Sequence, residues 1–313
     1  MAFSSDVRQE IARVAVTKRC CARAEVCAAV LCSGGLSFRG MGRYGLVIHG
    51  VNDEIAGRYI EVLRRFFRCQ AALGTIETPR LGGLTRYQVM PPEGEVPRLL
   101  RELKLLDNTR LFGLRATPAR EVLKDPCCRQ SFLRGAYLAG GSTGNPKKAY
   151  HMELAVPEPE LARCLVQLMK GLGVPARHTR RKTQQVVYLK DGEHMARMLA
   201  ILGAHRSLLE FENLRILKNI RNEANRQVNC DNANVDKSLA ASERQISMIR
   251  VIQKKMGLEK LPEPLAEMAE LRLRHPDLSL GELGGMANPT LSKSGASARM
   301  RKLEAIAEEL VNG

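Results

Sequence analysis

The chain has 313 residues, of which 44% are hydrophobic and 26% charged, a composition that fits a globular protein of two or three domains and argues against disorder as its main theme. Lys and Arg number 49 against 33 Asp and Glu, for a net charge of +16 and an isoelectric point near 9.7. That excess favours polyanionic partners, nucleic acid or an anionic membrane surface, although an Arg-rich genome would also produce it. The first residues carry no apolar targeting segment. The longest apolar stretch, 26–36, is interrupted by Ser33, Gly34 and Gly35 and is too short to span a bilayer, so a cytoplasmic protein without membrane association is expected.

The 9 cysteines are odd in number, and disulfides are not expected in such a chain. Cys20, Cys21, Cys27 and Cys32 fall on or beside one predicted helix. A single helix cannot wrap four ligands tetrahedrally around an ion, so these thiols read as small packing residues. No metal and no cofactor are expected.

The helix that opens at Cys20 recurs. At a fixed offset Cys20, Cys21, Ala29, Leu31 and Gly34 match Cys127, Cys128, Ala136, Leu138 and Gly141. Each copy continues alike: a strand at 44–49 or 150–156, an amphipathic helix at 53–68 or 159–171, a hairpin at 74–90 or 174–190, and a closing helix at 95–106 or 192–202. Alternation marks the strands and a 3.6-residue period the helices. Each half therefore reads α-β-β-α-β-β-α, and the two should pack as a pseudo-two-fold pair. The second hairpin carries Arg177, His178, Arg180, Arg181 and Lys182, and the first carries Arg80 and Arg86. These arginines and Lys182 are candidate phosphate contacts.

The chain changes character after about residue 206. Residues 206–229 and 235–255 read as helices, and Asn229-Cys-Asp-Asn-Ala-Asn234 between them as a turn-rich break. A helix over 262–275 stops at Pro276, and Ser279-Leu-Gly-Glu282 has the form of a capping box. After the turn at Asn288-Pro289, a helix starting at Ser292 or Ser294 runs to about Leu310. This is a helix-turn-helix, in which the helix after the turn enters the major groove. Its first turns offer Ser292, Lys293, Ser294, Ser297, Arg299, Arg301 and Lys302, with no acid before Glu304. Hydroxyls and a helix N-terminus can hold phosphate, and Arg can read guanine. Basic residues first and acidic residues last oppose the helix dipole, and DNA would compensate that arrangement. From Leu258 onward acids slightly outnumber bases, so the positive excess lies in the first 257 residues.

Phe132-Leu-Arg-Gly-Ala-Tyr-Leu-Ala-Gly-Gly-Ser142 resembles the signature helix of LAGLIDADG homing endonucleases. In that family two such helices pack along the pseudo-two-fold axis, and an acidic residue near the end of each holds the catalytic metals. The aligned positions here are Ser33 and Gly140, and no Asp or Glu lies between Glu25 and Asp53 or between Asp125 and Glu153. Neither replacement can hold a hard divalent cation, so the resemblance implies the fold without nuclease activity; cleavage would need more distant carboxylates. Together with Asn229-Cys-Asp-Asn-Ala-Asn234, Ser279-Leu-Gly-Glu-Leu283 and Ser292-Lys-Ser-Gly295, the chain resembles the WhiA family, bacterial regulators of sporulation and cell division.

That resemblance implies an α+β fold: a tandem LAGLIDADG-like αββαββα pseudo-two-fold domain over 1–218, with halves at about 1–110 and 120–205, followed by an all-α domain over 219–313. The latter has a helix-turn-helix core at 258–310 and is similar to region 4 of sigma factors. It implies a nucleoid-associated transcription factor and not an enzyme. The expected partners are promoter DNA and also another transcription factor or RNA polymerase with its sigma factor, with no small-molecule substrate. The run Ala296-Ser297-Ala298-Arg299 departs from the larger polar residues usual in that family, which implies weaker or altered sequence preference. A protein-interaction scaffold is the alternative to DNA binding.

Overall fold

The computed structural model describes residues 3–38, 44–78, 84–107 and 113–312. The chain divides into two units, Met1–Lys218 and Asn219–Gly313.

The first unit opens with α1 (Phe3–Ala12) and then runs through two copies of one motif. The first copy is α2 (Arg19–Ser33), β1 (Gly34–Phe38), β2 (Tyr44–Gly50), α3 (Asp53–Phe67), β3 (Ala72–Thr78), β4 (Leu84–Met90) and α4 (Val96–Glu102). A small two-stranded sheet, β5 (Leu106–Asp107) and β6 (Gly113–Leu114), leads to the second copy. That copy is α5 (Pro126–Gly140), β7 (Gly141–Thr143), β8 (Met152–Val156), α6 (Pro159–Gly171), β9 (Arg177–Arg181), β10 (Gln184–Leu189) and α7 (Gly192–Leu202). Both sheets are antiparallel and have the same order, β1-β2-β4-β3 and β7-β8-β10-β9. The predicted αββαββα repeat is therefore present twice.

Local chemistry fixes most boundaries. Asn52 accepts from the Ile55 N–H to cap α3, which has Asp53 and Glu54 in its first turn and Arg64 and Arg65 in its last, as the helix dipole favours. Asp191 accepts from the His194 N–H to start α7. The helix expected over 95–106 is shorter, because Lys104 takes a positive φ and the chain turns into β5. In β8 Met152, Leu154 and Val156 are buried and the residues between them half-buried, so one sheet face meets the core and the other is open.

The core of this unit is the contact between α2 and α5. A Cβ on Gly135 would collide with the Glu25 carbonyl oxygen, so only glycine lets the two backbones come this close. Gly140 serves another contact, its missing Cβ leaving room for the Ala155 carbonyl of β8. Glu25 is fully buried between the helices. It accepts from Arg58 Nε at 2.6 Å and Nη2 at 2.9 Å, with Arg134 Nη1 at 3.8 Å.

The helix that follows, α8 (His205–Lys255), is 51 residues long and continuous. The turn expected at Asn229–Asn234 is absent. The Asn and Asp side chains there bond within the helix: Gln227 Nε2 donates to Asp231 Oδ1 at 3.1 Å, and Asn234 Nδ2 lies 3.8 Å from Cys230 Sγ, both four residues apart. Such bonds support a helix that intrinsic propensity alone would not. No helix among the described residues is long and apolar enough to cross a membrane.

Glu10 of α1 caps the first turn of α8. Its carboxylate accepts from the backbone N–H of Arg206 at 2.6 Å and of Ser207 at 2.9 Å, and from the Ser207 hydroxyl at 2.7 Å. Burial pushes the carboxyl up, but these bonds and the His205 charge outweigh it, and its pKa is lowered. The cap therefore stabilises the fold above the ordinary carboxylate range and is lost as pH falls through the lowered folded value. Glu10→Gln should cost about 1 kcal/mol at neutral pH, solvent screening included, and the gap to wild type should close in acid. Urea melts at both pH values check this; a gap independent of pH would overturn it.

Candidate nucleic-acid interface

The second unit contains α9 (Glu263–Arg274), α10 (Leu280–Met286) and α11 (Lys293–Asn312). Their apolar faces meet in a core with Leu265, Met268, Ala269, Leu283, Ala296, Met300, Leu303 and Ala307, closed by Ile249 and Ile252 of α8. The predicted capping box starts α10: Ser279 Oγ accepts from the Glu282 N–H, and Glu282 Oε2 from the Ser279 N–H at 2.8 Å. Those bonds hold the Glu282 carboxyl below the usual range. Arg272 is buried, and its guanidinium donates to the Leu278 carbonyl at 2.6 Å and reaches Ser242 Oγ at 3.4 Å. That bonding fixes the loop between α9 and α10. α10 and α11 thus form a helix-turn-helix.

Ser292 starts the second helix, its Oγ accepting from the Gly295 N–H at 3.3 Å and lying 2.8 Å from Ser294 Oγ. With Ala296, Met300, Leu303 and Ala307 turned into the core, Ser294, Ala298, Arg301, Lys302 and Ala305 lie on the solvent side. Lys293 is exposed at the first turn, and Ser297 is half-buried at the edge of this face. The small side chains at 294, 298 and 305 leave a thin helix surface flanked by two cations.

Arg299 does not share that surface. Its Nη1 donates to Glu267 Oε2 at 3.1 Å and to the Pro264 carbonyl at 3.2 Å, and its side chain is 17% exposed. Glu267 Oε1 also accepts from the Asn288 N–H at 2.7 Å. One carboxylate therefore ties both the turn and α11 to α9. The sequence expectation groups Arg299 with the DNA-facing residues of this helix; in the structure it is engaged in the domain's own packing. Three residues on, at Lys302, the helix has turned back to solvent.

In the first unit the open sheet faces follow from register. Leu46, Ile48 and Val89 are buried, so His49, Gln88 and Arg86 lie on the opposite side of the first sheet. His49 has its pKa lowered by burial and by Arg86. In the second sheet Met152, Leu154, Val187 and Leu189 face the core, so Arg177, Arg181, Tyr188 and Glu153 share the open face. Arg181 Nη2 stands 3.2 Å from Glu153 Oε2. Arg180 belongs to the other face by register, although all of β9 is exposed, and Lys182 sits in the turn with φ 56°. Arg80 lies outside the described residues.

At the ends of the signature helices, Ser33 Oγ donates to the Ala29 carbonyl at 3.0 Å and the His49 carbonyl at 3.2 Å. Gly140 brings no side chain. The carboxylate on the strand beside the end of α5 is Glu153, whose oxygens engage His151 Nε2 at 3.0 Å and Arg181. Burial raises the Glu153 carboxyl, and bonds and charge from His151 and Arg181 bring it net below its ordinary value.

Sequence reasoning missed one cluster. Cys20 and Cys21 do not meet Cys27 or Cys32 around an ion; they meet Cys127 and Cys128, with the four sulfurs within 4.8 Å of one another. The signal was in the repeat, which pairs the two dipeptides position for position.

Comparison with known proteins agrees with this architecture. Residues 19–106 match the WhiA N-terminal LAGLIDADG-like domain, 129–221 the WhiA LAGLIDADG-like domain and 224–307 the WhiA C-terminal HTH domain. A protein of Heliobacterium modesticaldum named "Probable cell division protein WhiA" is 39% identical over 98% of this chain and 96% of its own. One of the same name from Desulforudis audaxviator is 40% identical over 99% and 98%. The crystal structure of full-length DUF199/WhiA from Thermatoga maritima superposes with a TM-score of 0.60 at 24% identity, covering 99% of both chains.

Proposed function

The chain belongs to the WhiA family, and from that premise we propose that it is a DNA-binding transcription regulator of the cell-division and sporulation type, not a nuclease. The outward face of α11 is the reading surface: Ser294, Ala298, Arg301 and Lys302, behind a Ser292-capped N-terminus and with no acid before Glu304. That combination of a thin helix, two cations and free backbone N–H groups fits a major groove and its phosphates. It is the observation that carries the proposal. Arg86, Arg177 and Arg181 on the open sheet faces, with Arg180 and Lys182 beside them, add sequence-independent phosphate contacts. Their expected effect is a steep salt dependence. Absence of cleavage rests on Ser33 and Gly140 at the helix ends and on a Glu153 already engaged by His151 and Arg181. The proposed setting is the cytoplasmic nucleoid, with promoter DNA as ligand and RNA polymerase with its sigma factor, or another transcription factor, as protein partner.

A salt titration of full-length protein on promoter and random duplexes tests this. The expected result is tighter binding to promoter, affinity for both falling steeply with salt, and no Mg2+-dependent nicking of plasmid. Failure to bind either duplex at moderate salt would overturn the DNA reading and turn attention to protein partners, for which α8 exposes Leu209, Ile216, Ile220, Val228, Val235 and Leu239.

A further inference from the structure

The two signature helices begin alike. Counting from Arg19 in α2 and Pro126 in α5, each places a Cys-Cys pair at its second and third positions. Pseudo-two-fold packing brings these starts together. Sγ atoms of all four residues lie within 4.8 Å of one another, with Cys21 and Cys128 buried and Cys20 and Cys127 half-buried. All four are free thiols. The two copies agree at few other positions in this stretch, namely Ala29, Leu31 and Gly34 with their counterparts.

We propose that Cys20, Cys21, Cys127 and Cys128 form a tetrathiolate site for one Zn2+ ion that ties the two repeats together at the N-terminal ends of α2 and α5. A tetrahedral ion with zinc–sulfur bonds of ~2.3 Å sets sulfur–sulfur separations of ~3.8 Å. Small side-chain rotations close the remaining distance. Four thiolates select zinc over the hard cations Mg2+ and Ca2+. Both pairs of thiols sit in the first turn of a helix, where the positive dipole end offsets negative charge. With all four positions filled by protein, no coordination site is left for substrate, and the ion is structural. Binding exchanges thiol protons for the metal and involves no oxidation. The site lies at the opposite helix ends from Ser33 and Gly140, so it is separate from the place where nucleases of this fold hold their metals.

The test uses full-length protein, reduced with a phosphine, stripped with chelator and titrated with Co2+. The expected result is one equivalent of Co2+ bound with the intense visible bands of a tetrahedral thiolate complex, bleached by Zn2+. Zn2+ should also raise the Tm of the repeat unit by more than about 4 °C. Both effects should vanish in Cys20→Ser/Cys127→Ser, which changes the half-buried pair only, and persist in Cys230→Ser. X-ray absorption at the zinc edge of the wild-type protein should show a sulfur-only shell. No saturable thiolate band in the reduced protein, an undiminished band in the double variant, or a shell with oxygen or nitrogen ligands would overturn the assignment. So would recovery of the four cysteines as disulfides with no metal uptake after reduction.

Discussion

Glu25→Ala should destabilise the repeat unit by about 3–5 kcal/mol, read as a lower midpoint in urea with an unchanged slope. Glu25 has no exposed surface and is the counter-charge for two buried guanidiniums. Arg58 holds it through two bonds of 2.6 and 2.9 Å and donates from Nη1 to the Ala12 and Val14 carbonyls at 2.8 and 2.6 Å. Arg134 stands 3.8 Å away and donates from Nε to the Leu202 carbonyl at 3.1 Å. The two arginines shift in opposite directions. For both, burial is the largest influence and lowers the pKa; the close bonds to Glu25 outweigh it at Arg58, and the longer contact does not at Arg134.

Removing the carboxylate strands both charges in the interface that Gly135 brings so close. Glu25→Gln should fall between wild type and Ala, because the amide still accepts but no longer neutralises. Replacing the triad by Leu, Met and Leu at 25, 58 and 134 should recover much of the loss, since the cost lies in unpaired charge more than in lost attraction. A loss below about 1 kcal/mol for Glu25→Ala would show that water reaches the cluster and would remove this account.

The same cluster marks the limit of the sequence. Strands and helices of each copy were legible because their signals are local, as in the alternation over Met152–Val156, and so was the capping box at Ser279 that starts α10. What joins residues far apart was not. Glu25 aligns with Phe132 across the repeat, so internal symmetry gives no hint of a charge there. The cysteine quartet needed the symmetry to be carried from sequence into space, one pair onto the other. Asn229–Asn234 was misjudged by composition, because side chains that compete with a helix at i+2 support it at i+4. The ion pair of Arg299 was not legible, because its position one turn after Gly295 says nothing of Glu267, which is 32 residues away. The outward face of α11 was partly legible, since Ala296, Met300, Leu303 and Ala307 fix which side of the helix faces inward and leave Ser294, Arg301 and Lys302 exposed.

That facing determines how single substitutions in α11 should differ. Arg301→Ala should weaken promoter binding by about 1–3 kcal/mol, roughly 5- to 150-fold in Kd, and flatten the preference for promoter over random duplex, as expected for a guanidinium at a base edge. Lys302→Ala should weaken both duplexes alike and reduce the salt slope by about one unit, as expected for a phosphate contact. Arg299→Ala should behave differently from both. It breaks the tie to Glu267 and Pro264, so the C-terminal unit should lose about 1 kcal/mol of stability, while DNA affinity measured well below its melting temperature stays near wild type. Gel shifts at several salt concentrations, paired with thermal melts, separate the three patterns. Unchanged affinity in Arg301→Ala and Lys302→Ala would remove α11 as the reading helix. Loss of promoter preference in Arg299→Ala without loss of stability would mean that DNA draws this arginine away from Glu267. In that case the turn, whose Asn288 N–H shares the same carboxylate, would loosen as the duplex binds, and the domain would exchange an internal ion pair for a base contact.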